Sequence, residues 1–448
     1  MTAEIALLNK MAVALAADSA VTIDAGNAAK VYNSADKIFE GTMHDPIGIM
    51  VYNRPELNGV PVEVIVKMYR DRDCNANFST VFDFASAFLK HIESLDTPEV
   101  TVNETVTALA EPRILAIHSA YEAISDETIR GWTSGNLAFE NVDAVFEAIE
   151  QRRTEFLQLQ LATLSLMQDQ SWADGLTVAD VLSAHGERLG EIVSHVFGSD
   201  LPHPTHQTLL DISALALLKE YQPTNLTGLV FAGFGKDEIF PSLVSYEIFG
   251  TVAGRLKHIQ TRKFDVDRKL VPDAAVIPFA QQEMVDRFVY GLDNQFFELC
   301  TTFFSGSLGK LKAELNDLLP NAGDEVLAGV EASIDSILNE FRGEVVDGHM
   351  VRLRGELSEM VRMMPKQELA ALSESLVHIT SLKRKFSAEA ESVGGPIDVA
   401  MITRAEGFVW VKRKHYFDPA FNPRFLHRRY GGNTPKAESP LAPAGEAS

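Results

Sequence analysis

Apolar positions in this chain change their period along its length, and the changes divide it into blocks. The opening stretch, "MTAEIALLNKMAVALAADSAVTI", is an almost unbroken apolar run interrupted at Asn9-Lys10 and again at Asp18. Two apolar runs parted by a polar pair predict a hairpin, Ala3 to Leu8 followed by Met11 to Ala17. The second run is nearly all small and apolar, as expected of a strand covered on both faces. "SAVTI" continues in β character, "GNAAKVYNSADKIFEG" reads as a loop and a short strand, and "IGIMVY" as a further strand. "VPVEVIVKMYRDR" has the spacing of an amphipathic helix.

From about residue 75 to 205 the period becomes helical, in "TVFDFASAFLKHIESL", "EPRILAIHSAYEAI" and "VDAVFEAIEQRRTEFLQLQLATLSLMQ". One more helix, "LLDISALALLKEY", precedes a return of β character in "TGLVFAGFG", "SLVSYEIFG", "RLKHIQTRKF" and "AAVIPFAQ". Helices then resume to about residue 385, and the strands "PIDVAMIT" and "GFVWVKRK" close the ordered part. Hairpin-linked strands that are apolar on both sides predict stacked antiparallel sheets with helices outside, an α+β fold with helical insertions. The tail "GGNTPKAESPLAPAGEAS" has the composition of a disordered end.

Composition narrows the function classes. The chain has 448 residues, 46% of them apolar and 23% charged, and a formal net charge of −22. That charge disfavours non-specific binding to nucleic acid or to an anionic membrane and fits a soluble cytosolic protein. Cys74 and Cys300 lie far apart with no CxxC spacing, so neither a disulfide framework nor a zinc site is expected. The apolar start lacks the basic region of a signal peptide, and Glu4, Lys10 and Asp18 break it. No uninterrupted apolar run approaches the length of a membrane span.

Other signals point to ordinary structure. No Ser or Thr follows Gly235-Lys236, so the glycines of "GLVFAGFGKDEIF" read as a strand in close backbone contact rather than a phosphate loop. His203 and His206 flank Pro204 without HExxH or a cysteine partner and read as loop histidines. "KRKHYFDPAFNPRFLHRRY" interleaves basic and aromatic residues; against the overall charge it reads as an arm packed on its own domain or on a neighbouring subunit.

Several stretches, in their order, resemble the N-terminal-nucleophile hydrolases of the proteasome β-subunit and HslV type. "AVALAADSAVT" is similar to the family's second strand and turn, whose Asp-Ser step carries an active-site acid. "SADKIFE" resembles the segment of the active-site lysine, "GLVFAGFG … SLVSYEIFG" the central hairpin, and "SVGGPIDVAMITRAEGFVWV" the Gly-Gly step and closing strands. The resemblance covers about half of the chain. It implies a four-layer αββα sandwich in parts: residues 2–74, then a helical insertion over 75–205, the sandwich again over 206–295, a second insertion over 296–366, closing helix and strands over 367–430, and the tail 431–448.

The implied reaction is hydrolysis of a peptide amide through an acyl-enzyme on Thr2, once Met1 is removed. Thr2 would then carry a hydroxyl and a free α-amine, whose ordinary pKa near ~8 lets it serve as base for its own hydroxyl. Lys37 is the cation that would lower both pKa values, and Asp18 the acid that holds it. Lys30, also before a Val-Tyr step, is the competing lysine. Taken singly, Thr2 also reads as a frayed end, Asp18 as a turn residue and Lys37 as an edge-strand charge. Asn53 stands where the family places a glycine whose amide donates to the oxyanion. The family's Gly-Ser-Gly is replaced by "IPFAQQ", and its acid and serine before Gly-Gly have a displaced counterpart in Glu389 and Ser392. The resemblance further implies a peptide or protein substrate, a homo-oligomer and a separate ATPase unfoldase, with no metal, nucleotide or other cofactor. Two rival readings are an inactive structural subunit of the same fold and an amidase for small molecules.

Overall fold

The computed structural model describes residues 2–24, 29–42, 44–72, 77–221, 226–266, 273–291, 294–318, 324–386, 393–418, 421–422 and 424. The tail 431–448, Glu389, Ser392 and Cys74 therefore lie outside the described residues. The chain begins with hairpins: β1 (Ala3–Leu8) with β2 (Val13–Ala17), then β3 (Val21–Asp24) with β4 (Ala29–Tyr32), then β5 (Ile38–Glu40) with β6 (Ile47–Asn53). A small ribbon of β7 (Glu56–Leu57) and β8 (Val60–Pro61) leads into helices α1 (Val62–Arg72) and α2 (Val81–Glu93). A helical block follows: α3 (Glu99–Thr133), α4 (Val142–Leu166), α5 (Val178–Phe197) and α6 (His203–Lys219). Strands return as β9 (Thr227–Gly233), β10 (Ser242–Val252), β11 (Arg255–Asp265) and β12 (Ala275–Ala280). Helices α7 (Glu283–Tyr290), α8 (Asn294–Leu318), α9 (Asp324–Glu340), α10 (Gly348–Met363) and α11 (Lys366–Phe386) precede β13 (Asp398–Thr403) and β14 (Gly407–Lys412).

Ten of these strands build two antiparallel five-stranded sheets, ordered β12-β1-β2-β13-β14 and β11-β10-β9-β6-β5. The fold is mixed α+β. Cover on both faces explains why β1 is apolar at every position but Glu4. Ala6 and Leu8 join Val13, Leu15 and Ala17 of β2 in a core shared with Met50, Tyr52, Val230 and Ala232 of the other sheet. The opposite side chains, Ala3, Ile5 and Leu7, pack with Ala14, Ala16 and residues of α7, α10 and α11. A strand with apolar neighbours on both faces has no solvent side to mark with polar residues. Gly48 marks a close approach of the two sheets: a Cβ there would sit 2.7 Å from Ile402 Cδ1 and 3.1 Å from Leu15 Cδ1.

The outer face of the second sheet (Ile47, Ile49, Leu229, Phe231, Val244) is covered by α1 and α2 through Ile65, Tyr69, Phe84 and Phe88. Thus α2 belongs with the sheet, although its sequence lies within the helical 75–205 stretch; Thr80 and Asp83 start it with a reciprocal capping box. Helices α3 to α6 pack mainly on one another, with α3 also meeting β10. Lys257 on β11 fastens this block to the sheet. It is 1% exposed, and its Nζ donates to Leu217 O at 2.5 Å and Glu220 O at 2.6 Å, the carbonyls at the end of α6. Burial lowers its pKa to about 7.

The first turn is fixed as firmly as the strands it joins. Asn9 Oδ1 accepts from the Met11 and Ala12 amides, while Nδ2 donates to Val361 O and Met364 O at the end of α10. That anchoring places β1 between β2 and β12, with Glu4 opposite Ala17 and Ala3 opposite Ala280. Among the described residues, no helix is long and apolar enough to cross a membrane.

Candidate active site

Side chains on one face of a strand recur every second residue, so Thr2 and Glu4 share the inner face with Ala6 and Leu8. Thr2 is 2% exposed, and its Oγ1 donates to Glu4 Oε2 at 3.1 Å. From the facing sheet, the Asn53 amide at the end of β6 donates to the same Oγ1 at 3.2 Å. The hydroxyl is therefore held from both sides.

Asp18 follows β2 directly and is buried beneath this pair. Its Oδ1 accepts the Ala3 amide at 3.0 Å and Lys37 Nζ at 2.5 Å. Its Oδ2 accepts the amides of Ala20 at 3.1 Å and Gly394 at 2.9 Å. Four donors on two oxygens satisfy a buried carboxylate. Lys37 arrives on the loop before β5, fixed where its carbonyl accepts the Val51 amide at 2.8 Å. Its Nζ also lies 3.1 Å from Glu4 Oε1, a charge contact without hydrogen-bond alignment, so its directed bond is to Asp18. Lys30 sits elsewhere, exposed on β4 with its ammonium over the Tyr32 ring.

The structure thus brings Thr2, Asp18, Lys37 and Asn53 together. Glu4 is the member that the sequence reading missed. The signal was available, because the two-residue period from Thr2 puts it on the same face. Gln281 was also missed. Where the family resemblance expected Gly-Ser-Gly, the chain turns at Ala280 with φ of +55°, and the Gln281 amide donates to Thr2 O at 3.3 Å. Arg384 Nε donates to Gln281 Oε1 at 2.7 Å. No sequence pattern distinguishes that glutamine from any polar residue after a strand.

Asn53 adopts φ of +64°, a left-handed conformation that asparagine tolerates better than other non-glycine residues. The conformation suits the asparagine found here and would equally suit the glycine that the resemblance expects. Asn53→Gly is expected to stay within about 0.5 kcal/mol of the parent stability, and Asn53→Val to lose about 1–2 kcal/mol. Urea denaturation measures both, and equal stability of the two variants would contradict the backbone argument.

Burial pushes the Glu4 carboxyl up to about 7; Lys37 pulls it down and Asp18 adds to the rise. The unfolded chain releases this proton near the ordinary value of 4.5, so between there and about 7 the folded chain holds the extra proton. Stability from this site is complete below that window and is lost as pH rises through it. Glu4→Gln is expected to raise the urea midpoint at about pH 8 and to change it little at about pH 5. A lower midpoint at about pH 8 would reverse the sign of this effect.

Among the described residues, no group of three or more His, Cys, Asp or Glu is placed to hold a metal ion. His203 and His206 lie in the first turn of α6, where the His206 amide donates to Pro202 O. No protein-family model matches the chain, and no curated protein matches it.

Proposed function

We propose that the protein is an N-terminal-nucleophile hydrolase on a four-layer αββα sandwich, cleaving peptide amides through an ester on Thr2 after loss of Met1. The carrying observation is convergence. A buried hydroxyl just before a strand hydrogen-bonded on both sides meets a backbone N–H donor, a buried ammonium and two carboxylates. The terminal amine of Thr2 carries protons for the reaction, and the Asn53 N–H beside Oγ1 serves the oxyanion. Lys37 lowers the cost of negative charge on Oγ1, and Asp18 fixes Lys37 and, through Ala3 N, the start of β1.

The test is a threonine-directed electrophile, such as a β-lactone, followed by intact mass and peptide mapping. A single adduct on Thr2 is the expected result. Peptide hydrolysis by protein whose adduct maps elsewhere would overturn the proposal. A second reading, a structural subunit of the same fold, is favoured by Ala280-Gln281 standing where the family's serine would be. Under that reading neither adduct nor hydrolysis appears.

A further inference from the structure

Glu4 lies between the nucleophile and the cation. Its Oε2 accepts the Thr2 hydroxyl at 3.1 Å, and its Oε1 faces Lys37 Nζ at 3.1 Å. A hydroxyl has one hydrogen, and in this arrangement that hydrogen points at Glu4. The ladder fixes the geometry, since Glu4 is paired with Ala17 on one side and with Phe279 on the other. We propose that Glu4 is a catalytic residue of this site, its carboxylate taking the Thr2 hydroxyl proton, so that the α-amine serves the leaving group and the water. This inference rests on the reading of Thr2 as the nucleophile.

The surroundings suit the role. Lys37 faces Glu4 with a positive charge, Asp18 opposes it with a negative one, and the Tyr52 phenol approaches from the other sheet. Burial weighs against the anion, and the balance leaves the carboxyl near about 7. A base of that strength accepts a hydroxyl proton better near neutral pH than an ordinary carboxylate does.

The protons balance over a turnover that starts with the Glu4 carboxylate and the Thr2 α-ammonium. Oγ1 bonds to the substrate carbonyl carbon as its proton moves to Glu4 Oε2, and the carbonyl π pair becomes an oxyanion lone pair beside Asn53 N–H. When that pair returns, the C–N bond breaks with its electrons to nitrogen, which takes a proton from the α-ammonium. Water then attacks the ester carbon and gives a proton to the α-amine. The ester C–O bond breaks towards Oγ1, which recovers its proton from Glu4. Both groups end as they began.

An activated ester isolates the step assigned to Glu4, because p-nitrophenolate leaves without a proton. The test follows acylation of the full, processed chain by p-nitrophenyl acetate, with the adduct mapped to Thr2. In the parent protein the rate is expected to rise about tenfold per pH unit from about pH 5 and to level above about pH 7. Glu4→Gln should lower the plateau by about 100-fold or more and remove the rise, with the slow adduct still on Thr2. An adduct on Thr2 formed by Glu4→Gln at the parent rate overturns the role of Glu4 and leaves the nucleophile standing. A flat parent profile from about pH 5 to about pH 8 does the same, and needs no folded variant. Absence of any adduct on Thr2 overturns the nucleophile reading itself.

Discussion

Lys37→Ala is expected to abolish hydrolysis and to destabilise the fold, whereas Lys30→Ala leaves both unchanged. Lys37 is 4% exposed and lies within 3.1 Å of two buried carboxylates, those of Asp18 and Glu4. Removing one partner of a buried ion pair costs about 3–5 kcal/mol, because the remaining charge has lost both water and its counter-charge. Here the penalty depends on pH. Glu4 can take up a proton, so the loss is larger at about pH 8 than at about pH 5. The sequence pointed to Lys37 as a functional cation; its burial between two acids adds a structural role. Lys37→Met keeps the stem and separates the two effects, since it restores packing without restoring charge. Hydrolysis of a peptide anilide, read with circular dichroism on the same samples, makes the measurement. Folded Lys37→Met that cleaves at the parent rate would remove Lys37 from the chemistry. Lys30 is exposed, with its ammonium 5.1 Å from the centre of the Tyr32 ring on β4, apart from the Thr2, Glu4, Asp18 and Lys37 cluster.

What the sequence made legible follows from where its signals are local. The β1 and β2 runs, the "IGIMVY" strand and the amphipathic α1 were readable because each carries its period within a few residues. The Asp18 and Lys37 positions were readable because they flank such strands. Glu4 was passed over for a physical reason: a single acid in an apolar strand reads as an interruption until its partner is known. Its partner, Lys37, comes from the loop before β5, a strand of the other sheet. Gln281 and Gly394 act through backbone amides, and a backbone donor leaves no trace in side-chain identity. The helical stretch misled in the same way at α2. Its period is that of α3 to α6, and only the contacts of Phe84 and Phe88 with Phe231 assign it to the sheet. The burial of Lys257 leaves no mark in the sequence, because the carbonyls that receive it lie at the end of α6, far from β11 along the chain.

The protein in its working form is expected to begin at Thr2, and Thr2→Ala to lose hydrolysis by about 10⁴-fold or more while losing Met1 equally well. Thr2 and Ala both have small side chains, which the aminopeptidase that removes initiator methionine accepts, so processing and chemistry separate in this variant. The chemistry requires the amine. With Met1 attached, that nitrogen is an amide, which neither takes a proton from water nor gives one to the leaving group. The fold specifies where the freed end sits: Ala3 N is held by Asp18, Thr2 O by the Gln281 amide, and Thr2 Oγ1 by Glu4 and Asn53. An amine at that position is ordered by its neighbours on both sides, unlike an ordinary terminus, which frays. The assignment of Glu4 sharpens the outcome. A protein with Met1 retained keeps the Thr2 hydroxyl and Glu4, so an activated ester should still acylate it. A peptide amide, whose leaving nitrogen needs a proton, should not be cleaved. Intact mass of the purified protein, paired with ester and anilide assays on the same material, decides the matter. Retained Met1 on protein that cleaves the anilide at full rate would end the terminal-threonine mechanism, whatever the ester shows.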